Sequence, residues 1–256
     1  MSTRFVSRVT LTSLVSALAA LAFVQPSAAQ ERNWELESEL GATLSFGNTR
    51  QSDLLARSAF ERADSTYEFA VNGRFIYGEA ADEGGDSFVN KRGWLVASNL
   101  DYRPFSLVSP FVFGSVESSF QRRIQSRASG GIGGKLTFNR DDGNRFDLSL
   151  ALLAERTTPR DDVMESETLA RWSGRVRYRR ALGDDRLTFD SQTGITPAFE
   201  NISDFTLTST NSLTYELTQV VRLRVSFLDN YDSRAKERGA RTNNDGQLIF
   251  SVVSSF

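Results

Sequence analysis

The chain has 256 residues, 30 basic and 32 acidic side chains, no Cys and no His. Without Cys it can form no disulfide or Cys-based zinc site, and without His it lacks the usual general base and the commonest metal ligand. The near balance of charge gives no basic excess for nucleic acid. Almost every cation is Arg, with lysines only at Lys91, Lys135 and Lys236; Arg suits bidentate, partly dehydrated ion pairs.

Residues 1–29 read as a cleaved secretory signal. Arg4 and Arg8 make a positive start, Val9 to Val24 is mainly apolar, and Ser27-Ala28-Ala29 is a small-residue cleavage site. The mature chain, 30–256, then carries 28 basic and 32 acidic residues, a net charge of -4. No later segment reaches the length of an apolar helical span, and mean hydropathy is -0.33. Barrel strands give a weak hydropathy signal, so neither fact argues against a membrane.

Alternation with a period of two recurs from Trp34 onward. In the first predicted strand, 34–46, Trp34, Leu36, Leu40, Ala42 and Leu44 share one face, and Glu35, Glu37 and Glu39 the other. A glutamate row toward hydrocarbon would be very costly, so it is assigned to a lumen. Gly47-Asn48-Thr49 supplies a turn. The second strand, 53–63, is weaker; the third, 66–78, sets Tyr67, Phe69, Val71, Phe75 and Tyr77 against Glu68, Asn72 and Arg74. The fourth, running to Tyr102, sets Trp94, Val96 and Leu100 against Lys91, Asn99 and Asp101.

The fifth, 111–120, is ambiguous because Phe111, Val112 and Phe113 are consecutive; a bulge or a rim position would absorb them. The sixth, 127–138, contains Gly130, Gly131, Gly133 and Gly134, which points to strong bending or close backbone approach. Phe146 to Ala154 is the seventh. The eighth sets Trp172, Val176 and Tyr178 against Arg171, Arg175, Arg177 and Arg179. The ninth and tenth, 186–196 and 205–215, alternate likewise. The eleventh, 220–231, opposes Val221, Leu223, Val225 and Phe227 to Arg222 and Arg224. In the last strand Leu248, Phe250, Val252 and Phe256 share a parity, opposite Gln247, Ser251 and Ser255.

This pattern predicts an all-β transmembrane antiparallel up-and-down β-barrel of about twelve strands, with ten or fourteen as alternatives. With both ends of the chain on the periplasmic side, the longest predicted loops, 79–87, 157–165 and 232–240, all face outward. Aromatics near strand ends, among them Trp34, Phe46, Tyr67, Tyr77, Tyr102, Tyr215, Tyr231 and Phe256, suggest two interfacial girdles.

The stretch Leu40 to Thr49, with its Gly47-Asn48-Thr49 turn, resembles the DUF481 family of salt-induced outer-membrane proteins. The Gly-rich strand at 130–134, Tyr231-Asp232-Ser233 and the terminal Phe256 follow in the same order as in that family. Ser254 departs from the usual outer-membrane terminal pattern, where an aromatic is common. The resemblance implies a barrel in the outer membrane and no settled activity.

The reading on function is correspondingly coarse. Glu35, Glu37, Glu39, Arg171, Arg175, Arg177, Arg179, Arg222 and Arg224 are candidate lumen-lining charges, with Glu68, Asp101 and Asp190 on the same faces. They line a narrow pore for small solutes or ions, or they pair and fill a closed, stress-related structural barrel. The mixed signs favour a mostly structural network. No motif for a cofactor, metal or catalytic residue is present, and the chain reads as a non-enzyme of the Gram-negative outer membrane. Its expected partners are outer-membrane lipids and lipopolysaccharide, and the barrel-assembly machinery through Leu248, Phe250, Val252 and Phe256. The sequence leaves the oligomeric state open.

Overall fold

A computed structural model describes residues 33–45, 49–82, 87–141, 143–161, 164–183 and 186–255. The predicted signal segment, Gly47, Asn48, Phe46 and Phe256 lie outside the described residues. Twelve antiparallel strands form a closed barrel, each paired with its sequence neighbours and β1 with β12. They are β1 (Trp34–Ser45), β2 (Thr49–Ala63), β3 (Tyr67–Asp82), β4 (Phe88–Tyr102), β5 (Val108–Ser119) and β6 (Ile124–Asp141). The second half is β7 (Asn144–Pro159), β8 (Glu167–Leu182), β9 (Leu187–Pro197), β10 (Phe205–Glu216), β11 (Val221–Asp232) and β12 (Asn244–Ser255).

Closure explains how these strands satisfy their backbones. Every strand has two partners, so no edge is left to meet hydrocarbon. The outward parity carries Phe69, Phe75, Trp94, Val96, Ile132, Leu150, Trp172, Leu223 and Phe250, all exposed. Such a belt is stable only in lipid, which makes the barrel a transmembrane one.

Two girdles bound the belt. At the end where the chain enters and leaves, Trp34 stacks on Phe60, Tyr67 lies tilted against Tyr102, and Phe146 lies between Phe138 and Tyr178. At the far end Trp172 stacks on Phe199 and Phe205 on Tyr231. Asp64 sets the short β2–β3 turn by accepting the backbone N–H of Thr66 and Tyr67 at 2.7 and 2.8 Å. Those two donors hold its carboxyl below the usual range.

Three sequence expectations change. Most strands are longer than predicted: 49–52 belongs to β2, 79–82 to β3 and 157–159 to β7. Their charged and turn-like residues sit where strands project past the belt. Phe111 and Phe113 cause no bulge; they face inward, Val112 faces outward, and the irregularity lies further along, between Glu117 and Ser119. The inner face is also less polar than expected. Leu55, Leu228 and Ile249 form a buried cluster inside the barrel, with Ile76 against it.

Register explains the Gly-rich strand. Gly131 and Gly133 pair with Phe113 and Phe111 on the inner face, whereas Gly130 and Gly134 face outward. A Cβ at Gly133 would press on the Phe111 ring, at 2.6 Å, and on the backbone of β7. One at Gly131 would meet Leu153 at 2.8 Å, whereas Gly134 has open space. Gly133→Val is therefore expected to cost roughly 1–3 kcal/mol through overpacking. Gly134→Ala should leave the urea midpoint of the refolded barrel within experimental error of the wild type.

Candidate functional site: the barrel interior and its far mouth

Cross-strand register fixes which charges share the interior. Glu35, Glu37 and Glu39 of β1 face inward, in register with Glu61, Ala59 and Arg57 of β2. Arg171, Arg175, Arg177 and Arg179 of β8 lie opposite Leu153, Ser149, Asp147 and Arg145 of β7, also inward. Arg222 and Arg224 pair in register with Val253 and Ser251 of β12. Leu248, Phe250 and Val252 take the opposite, outward parity. Thr49 opens β2 in register with Asp82.

Most of the inward charges fall into three groups. Along the β1–β12 seam, Arg224 holds Glu37 at 2.7 Å and Glu39 at 2.8 Å through Nη1, and donates from Nε to Thr214 at 3.0 Å. The Ser251 hydroxyl donates to Glu39 at 2.6 Å. Arg222 lies 3.7 Å from Glu37 and 3.8 Å from Glu35, and Arg57 3.9 Å from Glu39. This clamp matters because β1 and β12 pair only between Glu37–Gly41 and Ser251–Ser255.

A second group lies toward the terminal end. Lys135 pairs with Asp101, Arg145 with Asp147, and Arg140 with Glu68 at 2.6 Å. Asp190 takes Arg179 at 2.8 Å and Arg177 at 3.7 Å. Arg175 differs: among the described residues it has no ion pair or hydrogen bond, and it is exposed to the interior. Its cross-strand neighbours are Ser149 and Gly194, neither of which can neutralise it.

The third group is one that reasoning from sequence missed, and it closes the far mouth. The segment joining β11 to β12, one of the three long loops expected on the outer side, turns across the opening toward the β5–β6 turn, on the opposite side of the ring. Asp232, 2% exposed, accepts Arg127 of β6 at 2.9 Å and lies 2.5 Å from Arg238. Arg238 donates from Nε to the carbonyl of Arg122 at 3.3 Å. Arg123 donates back to the carbonyl of Gly239 at 3.4 Å. Gly239 has φ of +86°, a backbone conformation that only glycine adopts freely.

Side chains from β7, β8 and the β9–β10 connection brace this segment. Arg171 donates to Glu155 and to Asp204, both at 2.9 Å, and Arg234 reaches Glu167, Asp204 at 3.4 Å and Glu237 at 2.9 Å. Hydrogen bonding to Glu237 is the largest influence on Arg234 and keeps its guanidinium firmly charged. Ala235, within the segment, is fully buried. Just inside the mouth, Arg74, Ile76 and Glu117 share one small cavity with Leu228, Asn230 and Asp245 of the opposite wall. The interior is narrow enough there for the two walls to meet around the apolar cluster.

Glu155, Asp204 and Arg238 belong to this closure and none was singled out from sequence; Asp232 was named only within the family-like Tyr231-Asp232-Ser233. The available signal was the dense charge of 232–238, whose partners come from β6, β8 and the β9–β10 connection, far away in sequence.

Solved barrels of similar outline have very different sequences. The translocator domain of the autotransporter NalP from Neisseria meningitidis is 8% identical, with 96% of this chain and 95% of that chain covered and a TM-score of 0.44. The NanC porin is 12% identical, with coverage of 86% and 98% and a TM-score of 0.47. The COG4313 outer membrane channel from Pseudomonas putida F1 is 10% identical, with coverage of 91% and 98% and a TM-score of 0.41. A search of curated proteins finds no match. Residues 38–256 match the model of the family described as "Protein of unknown function, DUF481". With the match running from the middle of β1 to the end of β12, the chain belongs to the DUF481 family.

Proposed function

We propose that this chain is an outer-membrane barrel of a Gram-negative bacterium, forming a narrow passage for ions or small solutes. Its far mouth faces the cell exterior and is held shut by the β11–β12 segment. The observation that carries the reading is the pair of ion pairs that Asp232 makes with Arg127 and Arg238, which joins opposite sides of the ring. The signal-like residues 1–29 and the apolar parity of Leu248, Phe250 and Val252 support the location; such a terminal strand suits engagement by the assembly machinery. Outer-membrane lipids, lipopolysaccharide among them, are the solvent of the belt. No catalytic role is proposed.

What favours a passage over a solid plug is Arg175, a cation exposed to the interior without a partner. An unneutralised charge in a narrow bore biases which ions enter. Single-channel recording on the refolded mature chain tests this. Open events, however rare, should favour anions, and Arg175→Gln with Arg177→Gln should remove that preference without changing the thermal transition.

A second reading, a closed structural barrel, is favoured by the inner cluster of Leu55, Leu228 and Ile249. An apolar constriction excludes water and ions from a narrow bore. Complete silence from a barrel shown to be folded by its heat-dependent gel shift would favour this reading over the passage.

A further inference from the structure

The outer wall of β9, β10 and β11 carries a polar patch that a lipid environment does not explain. Ser191 and Thr193 of β9 lie directly across from Asn211 and Ser209 of β10. They share the outward parity of Phe189, Ile195, Leu207 and Leu213. Along β10 the outward order is Phe205, Leu207, Ser209, Asn211, Leu213 and Tyr215, so the polar pair sits at mid-depth between the girdles. On β11, Asp229 lies across from Ser209 and also faces outward.

Part of this patch satisfies itself. Ser191 donates to Asn211 Oδ1 at 2.8 Å, Asn211 Nδ2 donates to Ser209 at 3.0 Å, and the Thr193 and Ser209 hydroxyls lie 3.0 Å apart. The rest is unmet. Asn211 keeps a second amide hydrogen and the hydroxyls keep acceptor capacity. Single hydroxyls such as Ser58 and Ser98 also face outward. Here five polar groups are contiguous and include an amide and a carboxylate. Hydrocarbon offers them nothing.

We propose that this patch is the contact surface of a homodimer, formed with a second copy of the chain across a two-fold axis along the membrane normal. Two arguments select a second copy. Both copies insert with the same orientation, so their patches meet at the same depth, which an unrelated wall does not guarantee. The patch is also self-complementary. A two-fold axis near β10 sets β9 of one copy against β11 of the other, so the Ser191 and Thr193 hydroxyls face Asp229, and Asn211 amides face one another. Gly174 beside Ile195, and Gly246 beside Asp229, both face outward and let the walls approach closely. A three-fold assembly would place the patch against a different wall and leave Asp229 unmet.

The test uses the absence of native cysteine. Ser209→Cys, at the axis, and Ile132→Cys, exposed on β6 of the far wall, are refolded separately into bilayers and oxidised. Ser209→Cys should give a covalent dimer at least about tenfold faster than Ile132→Cys, with both barrels showing the folded gel shift. In the unmodified background, light scattering should report a dimer. Ser209→Val with Asn211→Leu should weaken it by roughly tenfold or more while keeping the fold. Equal cross-linking at the two positions, a folded but monomeric wild type, or a dimer unmoved by the double substitution would each overturn the proposal. So would cross-linking of Ser209→Cys to a different protein in native membranes.

Discussion

Asp232→Ala is expected to release the segment that crosses the far mouth while leaving the barrel closed. The substitution removes the carboxylate shared by Arg127 and Arg238 and leaves two guanidinium groups facing each other at a buried site. Breaking a buried pair from one side typically costs about 3–5 kcal/mol, and here the cost falls on the segment that Asp232 ties to β6. Beyond Ser233, which donates to Phe205 at 3.1 Å, its backbone bonds are local: Gly239 donates to Lys236 at 2.9 Å and Ala240 to Ala235 at 3.0 Å. Hydrogen exchange should therefore lose protection at Ala235, Gly239 and Ala240, with β2 and β3 unchanged. Asp232→Asn, which keeps an acceptor but no charge, should lie between. Unchanged protection in Asp232→Ala would mean that the Arg234 and Arg171 groups hold the mouth by themselves.

Arg224→Leu is the second large effect, and it acts on closure of the ring. The β1–β12 seam is short, and the guanidinium ties β11 to two glutamates of β1 across β12. Glu39 is 3% exposed; without Arg224 its nearest cation is Arg57 at 3.9 Å. About 3–5 kcal/mol of destabilisation follows from stranding buried carboxylates. Adding Glu37→Gln and Glu39→Gln in the Arg224→Leu background should recover more than half of that loss, because the stranded charges are then gone. Urea unfolding of the wild type, Arg224→Leu, Glu37→Gln with Glu39→Gln, and the triple variant in one lipid or detergent system measures the cycle. A triple variant as unstable as Arg224→Leu alone would place the cost in lost packing of the Arg stem instead.

The faces of the barrel were legible in the sequence because strand periodicity is two, and hydrocarbon enforces it on the outward parity. Trp34, Phe69, Trp94, Trp172 and Phe250 all obey it. The inward parity obeys no such rule. It admits Phe111 and Phe113 over Gly131 and Gly133, and the cluster of Leu55, Leu228 and Ile249, beside Glu39 and Arg224. That is why Phe111 to Phe113 gave an ambiguous strand. Strand ends were under-read for a related reason. Residues such as Thr49, Glu79 and Thr157 continue the ladder past the lipid, where no hydrophobic pattern is required.

Parity could show that Arg171 and Glu37 point inward, but partners inside a barrel come from strands far apart in sequence. Arg127 and Asp232 are separated by 105 positions and meet only because β6 and the end of β11 stand on opposite sides of the mouth. The inward turn of 233–240 was equally hidden, since a charged run reads as a solvated loop until its counter-charges are placed. The outward polar pair on β10 was visible in sequence as a break in apolar alternation at Ser209 and Asn211. It acquires meaning only once the register aligns it with Ser191, Thr193 and Asp229.

The most direct test of the closed-mouth account is single-channel conductance of the wild type and Asp232→Ala in the same planar bilayers. Both would first be verified as folded by the heat-dependent gel shift. The account predicts a wild type that is shut except for rare brief openings, and a variant with frequent, longer openings of anion-favouring current. A wild type that conducts steadily, or a variant as silent as a silent wild type, would contradict it.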